Sequence, residues 1–328
     1  MTSRRERLQA ALAGEKADRP PVALWRHFPV DDQDPRSLAD ATLDFQAQYD
    51  FDFIKVTPAS SFCVKDWGVE DAWKGDAEGT REYTHYVIDQ PRDWLRLKLL
   101  SPVRGWLGAH LKCLASLRER CAEDLPYLQT VFSPLSQARH LAGEARLLEH
   151  LRREPEYVLR ALEVITQTTV AYVEAARAFG ISGIFYAAQL ASYQRMDRQG
   201  YSRFGEPFDR CVLEAASGLW LNVLHMHGES IMFDLATTYP VQVINWHDRE
   251  TPPSLAEARR MTRVALCGGL RRQETMVLGD PQSVMREAKS AIKATQGGRG
   301  FILGTGCVVP VLAPRVNLLA ARSAAECA

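Results

Sequence analysis

The stretch PEYVLRALEVITQTTVAYVEAARAFGISGIFY, residues 155–186, decides the fold. Leu159, Leu162, Val164, Ile165, Val170, Val173 and Ala176 recur at the spacing of one helix face, which predicts a long helix over Pro155–Phe179. A short apolar run bounded by glycine follows, Gly183–Tyr186, and reads as a buried strand. Outward from this unit the same alternation recurs. Strand-like runs occur at Val22–Trp25, Phe51–Val56, Tyr127–Phe132, Asn222–His227, Val241–Trp246, Val264–Cys267 and Phe301–Leu303. Helical periods lie between most of them, at Leu38–Tyr49, Leu107–Cys121, Glu206–Leu219, Ser254–Thr262 and Pro281–Thr295. Ahead of all these, Ser3 and Glu6 spell a capping box for a short N-terminal helix that Gly14 ends.

Alternating strands and helices build a parallel sheet, and eight strands apolar on both faces predict a closed (β/α)8 barrel, one α/β domain over residues 1–328. An open dinucleotide-binding sheet fits less well. No GxGxxG leads from an early strand into a helix, and Gly297-Gly298-Arg299-Gly300 precedes a strand instead. The segment from Lys65 to Pro102, after the second strand, is long for a connection and is expected to pass over the barrel mouth.

Composition narrows the function. Lys+Arg and Asp+Glu both number 40 in 328 residues, a balance that argues against nucleic-acid binding and a polybasic membrane surface and for a small-molecule substrate. The most apolar run, Phe301–Pro314, is broken by Gly304, Gly306 and Pro310, so no membrane span is expected. The basic N-terminus has no apolar stretch behind it and does not read as a signal peptide. Seven cysteines at irregular spacing, without a CxxC, fit a reducing cytoplasm better than a disulfide framework.

In such a barrel the chemistry sits at the C-terminal strand ends. His225 and His227 are two apart on an extended segment, so both imidazoles face the same side, and Cys307 follows the last strand. Two histidines and a cysteine suit Zn²⁺ and leave a fourth position for substrate. The same three residues also read as core histidines beside a buried thiol. Arg26, at the first strand end, offers a planar fork for a carboxylate or phosphate, or else a salt bridge. Trp25, Tyr186 and Trp246 can wall a flat ligand, with Gln189 at the end of the Tyr186 strand, or can simply pack.

Across nearly its whole length the chain resembles the uroporphyrinogen decarboxylase superfamily. The opening RERLQAALAGEKADRPPVALWR (Arg5–Arg26) is similar to that family's start, and the closing FILGTGCVVPVLAPRVNL (Phe301–Leu318) to its last strand and the turn after it. The resemblance implies a single barrel and one of two chemistries. Porphyrinogen decarboxylases hold their substrate with an Arg-Gln-Ala-Gly-Arg motif, a strand 2 aspartate and a Gly-His-Gly. Here only Arg26 of the first motif stands, Val56-Thr57-Pro58-Ala59 has no aspartate, and Gly304-Thr305-Gly306 replaces the last.

The other branch resembles this chain more closely: zinc methyltransferases that pass a methyl group between a corrinoid (cobalamin) protein and a thiol or pterin. Their ligands form a His-x-Cys motif on the fifth strand and a Gly-Cys after the eighth. His225 and Cys307 match, while His227 stands where that branch has cysteine. The resemblance thus implies Zn²⁺ on His225, His227 and Cys307, a corrinoid co-substrate, and Glu229 or Asp248 either closing the coordination shell or acting as base. The alternatives are a decarboxylase of a porphyrinogen or smaller acid, with Arg26 on the carboxylate, and a non-catalytic tetrapyrrole or corrinoid binder.

Overall fold

The computed structural model of the protein describes residues 2–327; Met1 and Ala328, the ends of the expected domain, lie outside the described residues. Nine strands occur among these residues: β1 (Ile54–Val56), β2 (Glu70–Ala72), β3 (Glu82–His85), β4 (Tyr127–Phe132), β5 (Gly183–Ala188), β6 (Val223–Met226), β7 (Val243–Trp246), β8 (Ala265–Leu270) and β9 (Phe301–Thr305). Seven of them make one parallel sheet in the order β1-β4-β5-β6-β7-β8-β9, and β2 pairs antiparallel with β3 as a separate hairpin.

The expected first strand, Val22–Trp25, shrinks to a bridge. Val22 pairs with Leu303 of β9. Leu303 N donates to Pro21 O at 2.8 Å, Ala23 N to Leu303 O at 2.9 Å, and, on the other side, Asp52 N to Val22 O at 2.8 Å. Pro20 and Pro21 have no N–H, so the ladder cannot run further back. The segment around Val22 still joins the last strand to the first, and the curled sheet closes as a (β/α)8 barrel with this segment as its eighth stave. The Asp52 carboxylate pins the seam from below: it accepts from Val22 N at 2.7 Å, Arg7 at 2.6 Å and Arg19 at 2.7 Å.

Strand alternation creates two cores. Outward residues pack against the helices, chief among them the long helix Pro155–Arg177, which ends two residues before the expected Phe179. Inward residues Trp25, Phe53, Leu128, Phe185, Val223 and Ile302 fill the barrel, and Leu8 of the N-terminal helix Arg4–Leu12 plugs its base. That helix carries the capping box read from Ser3 and Glu6, and Gly14 behind it takes φ +71°. The segment after β1 holds the β2–β3 hairpin, and its residues Glu78, Thr80, Arg81 and Tyr83 line the cavity at the barrel mouth. No helix among the described residues is long and apolar enough to cross a membrane.

Candidate metal centre

The register of the sheet assembles the site. His225 of β6 pairs with Asn245 of β7, so the next inward positions on the two chains, His227 and His247, emerge side by side just above the strands. Cys307 arrives from the turn after β9. Ligand atoms of His225, His227, His247 and Cys307 all lie within 4.8 Å of one another. Cys307 Sγ is 3.7 Å from His225 Nε2 and 3.8 Å from His227 Nδ1, and His247 Nε2 is 3.3 Å from His227 Nδ1.

Hydrogen bonds beneath the ring atoms set their tautomers. Asn245 Nδ2 donates to Cys267 O at 2.9 Å and Thr305 O at 3.0 Å, which fixes Asn245 Oδ1 as the acceptor facing His225 Nδ1 at 2.7 Å. His225 therefore carries its proton on Nδ1 and aims the Nε2 lone pair at Cys307. His247 Nδ1 donates likewise to Glu250 Oε2 at 2.9 Å, leaving Nε2 for the cluster. Arg272 holds Glu250 at 3.2 Å and reaches Glu78 of the mouth segment at 2.7 Å. This is the arrangement of ligating histidines oriented from behind by amide and carboxylate partners.

Charge in the cluster is shared. Burial pushes the Cys307 thiol up, but the surrounding imidazoles outweigh it and hold the thiol well below its usual range. Burial lowers His247, while the Cys307 sulfur and the Glu250 carboxylate raise it to about 9. Burial dominates at His225 and lowers it. A thiolate, three imidazoles with the His225 lone pair already aimed inward, and a cavity against the cluster match what a zinc ion takes. That cavity, about 290 Å³, is also lined by Trp25, His27, Lys55, Arg139, Phe185 and Gln189.

Of the residues read from the sequence, His225, His227, Cys307, Trp25 and Gln189 meet at this cavity. The other five do not, and alternation explains four of them. Arg26 follows inward Trp25 and turns outward over the rings of Phe28 and Phe45. Tyr186 follows inward Phe185 and donates to Asp209 at 2.6 Å among the helices. Trp246 packs on Phe233 and donates to Pro253 O at 2.8 Å. Asp248 follows inward His247 and accepts from Gly269 N at 3.1 Å, and burial pushes it up to about 7. His247, not Asp248, stands with the other three residues of the cluster. Glu229 lies exposed on the loop after β6, against Gln194 at 3.0 Å. His247, Lys55 and Glu250 were not among the sequence candidates, although the extended Asn245-Trp246-His247 segment repeats the parity of His225-Met226-His227.

Asp209 is buried and accepts from Tyr186, Tyr201 and Tyr239, at 2.6, 2.7 and 2.6 Å. Removing one donor from such a carboxylate costs about 1.5–3 kcal/mol. Tyr186→Phe should therefore lower stability by that amount in denaturant titration and leave turnover unchanged. Lost turnover at wild-type stability would return Tyr186 to the substrate.

The family profile described as "Uroporphyrinogen decarboxylase (URO-D)" matches residues 3–326. The chain is 24% identical over 350 residues to "Methylcobamide:CoM methyltransferase MtbA" of Methanosarcina acetivorans, covering 99% of this chain and 97% of that protein. The fold of a "methyltransferase from Methanosarcina mazei" superposes with a TM-score of 0.87 at 19% identity, covering 99% of each chain. A B12-independent methionine synthase from Shewanella sp. W3-18-1 shares the fold at a TM-score of 0.59 and 14% identity, over 94% of this chain and 92% of that one.

Proposed function

The chain belongs to the uroporphyrinogen decarboxylase family, and from that premise we propose that it is a zinc-dependent methyltransferase, one barrel domain over residues 1–328, exchanging a methyl group between a corrinoid cofactor or corrinoid protein and a small nucleophile. The observation that carries this reading is the convergence of His225, His227, His247 and Cys307 on one point at the wall of a cavity. We assign His225, His227 and Cys307 as zinc ligands, with His247 as a fourth donor that can yield to substrate. A zinc ion held there supplies a Lewis acid that lowers the acceptor's pKa. Trp25 and Phe185, edge to face at 5.1 Å, give the acceptor an apolar, water-poor wall. Gln189, fixed by Arg139 at 2.8 Å, offers a polar edge opposite. A methylcorrinoid at the mouth would supply the methyl group to the acceptor's lone pair and would keep the electron pair of the carbon–cobalt bond.

A cavity of about 290 Å³ is at the lower limit of sites for drug-sized ligands, roughly 300 Å³. It does not enclose a tetrapyrrole, which counts against porphyrinogen decarboxylation and has the corrinoid presenting its methyl group at the mouth. Cys63, Cys113, Cys121, Cys211, Cys267 and Cys307 are all free thiols. The test is elemental analysis of untagged protein followed by methylcobalamin absorbance with small thiols. Metal-free protein that still turns over would overturn the reading.

The supporting hydrogen bonds give a graded prediction. Asn245→Ala and Glu250→Gln should each weaken metal affinity by about 10–100-fold in chelator competition, because each frees a ligating imidazole to rotate and change tautomer. Unchanged affinity in both would mean that these bonds do not serve the cluster.

A further inference from the structure

The turn that joins β2 to β3 is fastened to the surroundings of the ligand cluster at two points. Asp76 shapes the turn, its Oδ1 accepting from Glu78 N at 2.9 Å and from Thr80 Oγ1 at 2.8 Å. At the first point Val311 N, four residues past Cys307, donates to Ala77 O at 2.9 Å. Gly79 lies so close there that a Cβ would meet His27 Cβ at 2.8 Å and Val311 Cγ1 at 3.0 Å. The second point is ionic. Glu78 Oε1 accepts from Arg272 Nη1 at 2.7 Å, while the same guanidinium grips Glu250 with two more donors, Nε to Oε1 at 3.2 Å and Nη2 to Oε2 at 3.3 Å. Glu250 Oε2 in turn accepts from His247 Nδ1 at 2.9 Å, and His247 Nε2 stands 3.3 Å from His227 Nδ1. An unbroken line of contacts therefore runs from the rim of the cavity to the cluster.

Burial shows which link is weak. Arg272 is 8% exposed and His247 5%, whereas the side chain of Glu250 is 36% exposed. A carboxylate that open to water can turn away from the imidazole unless a second partner holds it, and the Arg272 fork is that partner. Arg272 leans on Glu78 in its turn. Without that acceptor one end of a buried guanidinium is left unsatisfied, which costs more than the hydrogen bond itself contributes. We propose that Glu78 and Arg272 are positioning residues of the metal centre: through Glu250 they set the His247 ring, and they couple closure of the hairpin over the cavity to metal binding. This rests on the metal reading of the cluster and adds a moving part to it. The coupling is reciprocal, so whatever the closed hairpin adds to metal affinity, the bound metal adds to the closed hairpin.

The test measures amide hydrogen exchange over residues 70–85 in zinc-loaded and in chelator-treated protein, with zinc affinity read by chelator competition. Zinc should slow exchange in the wild-type hairpin by about 5- to 150-fold, the usual size of a coupling between two sites. Glu78→Ala and Arg272→Met should each bring that ratio to about one and weaken zinc binding by the factor lost. Glu78→Gln, which keeps an acceptor for Arg272, should retain part of both effects. The base of the hairpin is held separately, Arg81 donating to Asp71 at 2.7 Å and to Pro29 O at 3.0 Å, so Glu78→Ala frees the turn without detaching the segment. A merely structural role would quicken exchange equally with and without zinc, and a ratio that persists in both variants would overturn the proposal. So would a wild-type hairpin whose exchange ignores zinc, a result that needs no variant to fold. Tight zinc binding with no change in hairpin exchange keeps the metal reading and sinks the coupling; protein that binds no zinc sinks both.

Discussion

Serine at position 307 should release the metal and with it methyl transfer, while the barrel stays folded. Cys307 Sγ stands 3.7 Å from one imidazole and 3.8 Å from another, and its thiolate is the negative, soft donor of the set. A serine hydroxyl remains neutral near pH 7, so the substitution removes a charge as well as a ligand. The loss should exceed the roughly 10–100-fold that a supporting residue is worth. His227→Ala should behave in the same way. Stability is another matter, because the backbone of the turn is held through Thr305 Oγ1 donating to Cys307 O at 2.5 Å, which serine leaves intact. A chain with two apolar cores does not depend on an ion as a small zinc domain does. Metal content per chain and a circular dichroism melt check this together. Wild-type metal content in the serine variant would remove Cys307 from the ligand set, and unfolding by chelator would show a structural ion instead.

Gly306→Ala should damage the fold and the site at once. A Cβ at Gly306 would meet His247 Cα at 2.6 Å and Trp246 O at 2.7 Å, both backbone atoms that cannot swing aside. The turn carrying Cys307 passes against the end of β7 at a distance that only glycine permits. Overpacking of this kind costs about 1–3 kcal/mol. In a domain of this size each kcal/mol lowers the melting temperature by about 2–4 °C. Because the displaced atoms belong to His247 and its neighbour, metal affinity should fall as well, although no ligand has been changed. Wild-type melting and chelator competition in this variant would show that the turn has room to shift.

The barrel was legible because buried parallel strands leave apolar runs between helical periods, and Tyr127–Phe132 was read to the residue. Val22–Trp25 looks the same in composition, yet only Val22 pairs, since prolines ahead of it withhold donors. The pairing of His225 with His227 and the distant Cys307 was readable from spacing and strand ends. His247, one residue past the expected strand Val241–Trp246, was not among the candidates, because the register aligning Asn245 with His225 belongs to two strands, not to either alone. Applied consistently, alternation would have turned Arg26, Tyr186, Trp246 and Asp248 outward. Lys55 left one signal, a lone lysine inside the apolar stretch Phe53–Val56.

The seam at Val22 and Leu303 bears on how the molecule comes to exist. It joins two segments near opposite ends of the chain, whereas most neighbouring strands are close in sequence, so among the parallel strand pairings it has the largest loop to close and is the slowest to be rewarded during folding. Cys307 lies only four positions beyond Leu303. While the chain is being made, the three histidines can be laid down on their strands, but the sulfur that completes the cluster reaches them only as the ring shuts. If the cluster holds zinc as proposed, capture of the ion would wait on that closure, because a half-open barrel would present imidazoles without the thiolate.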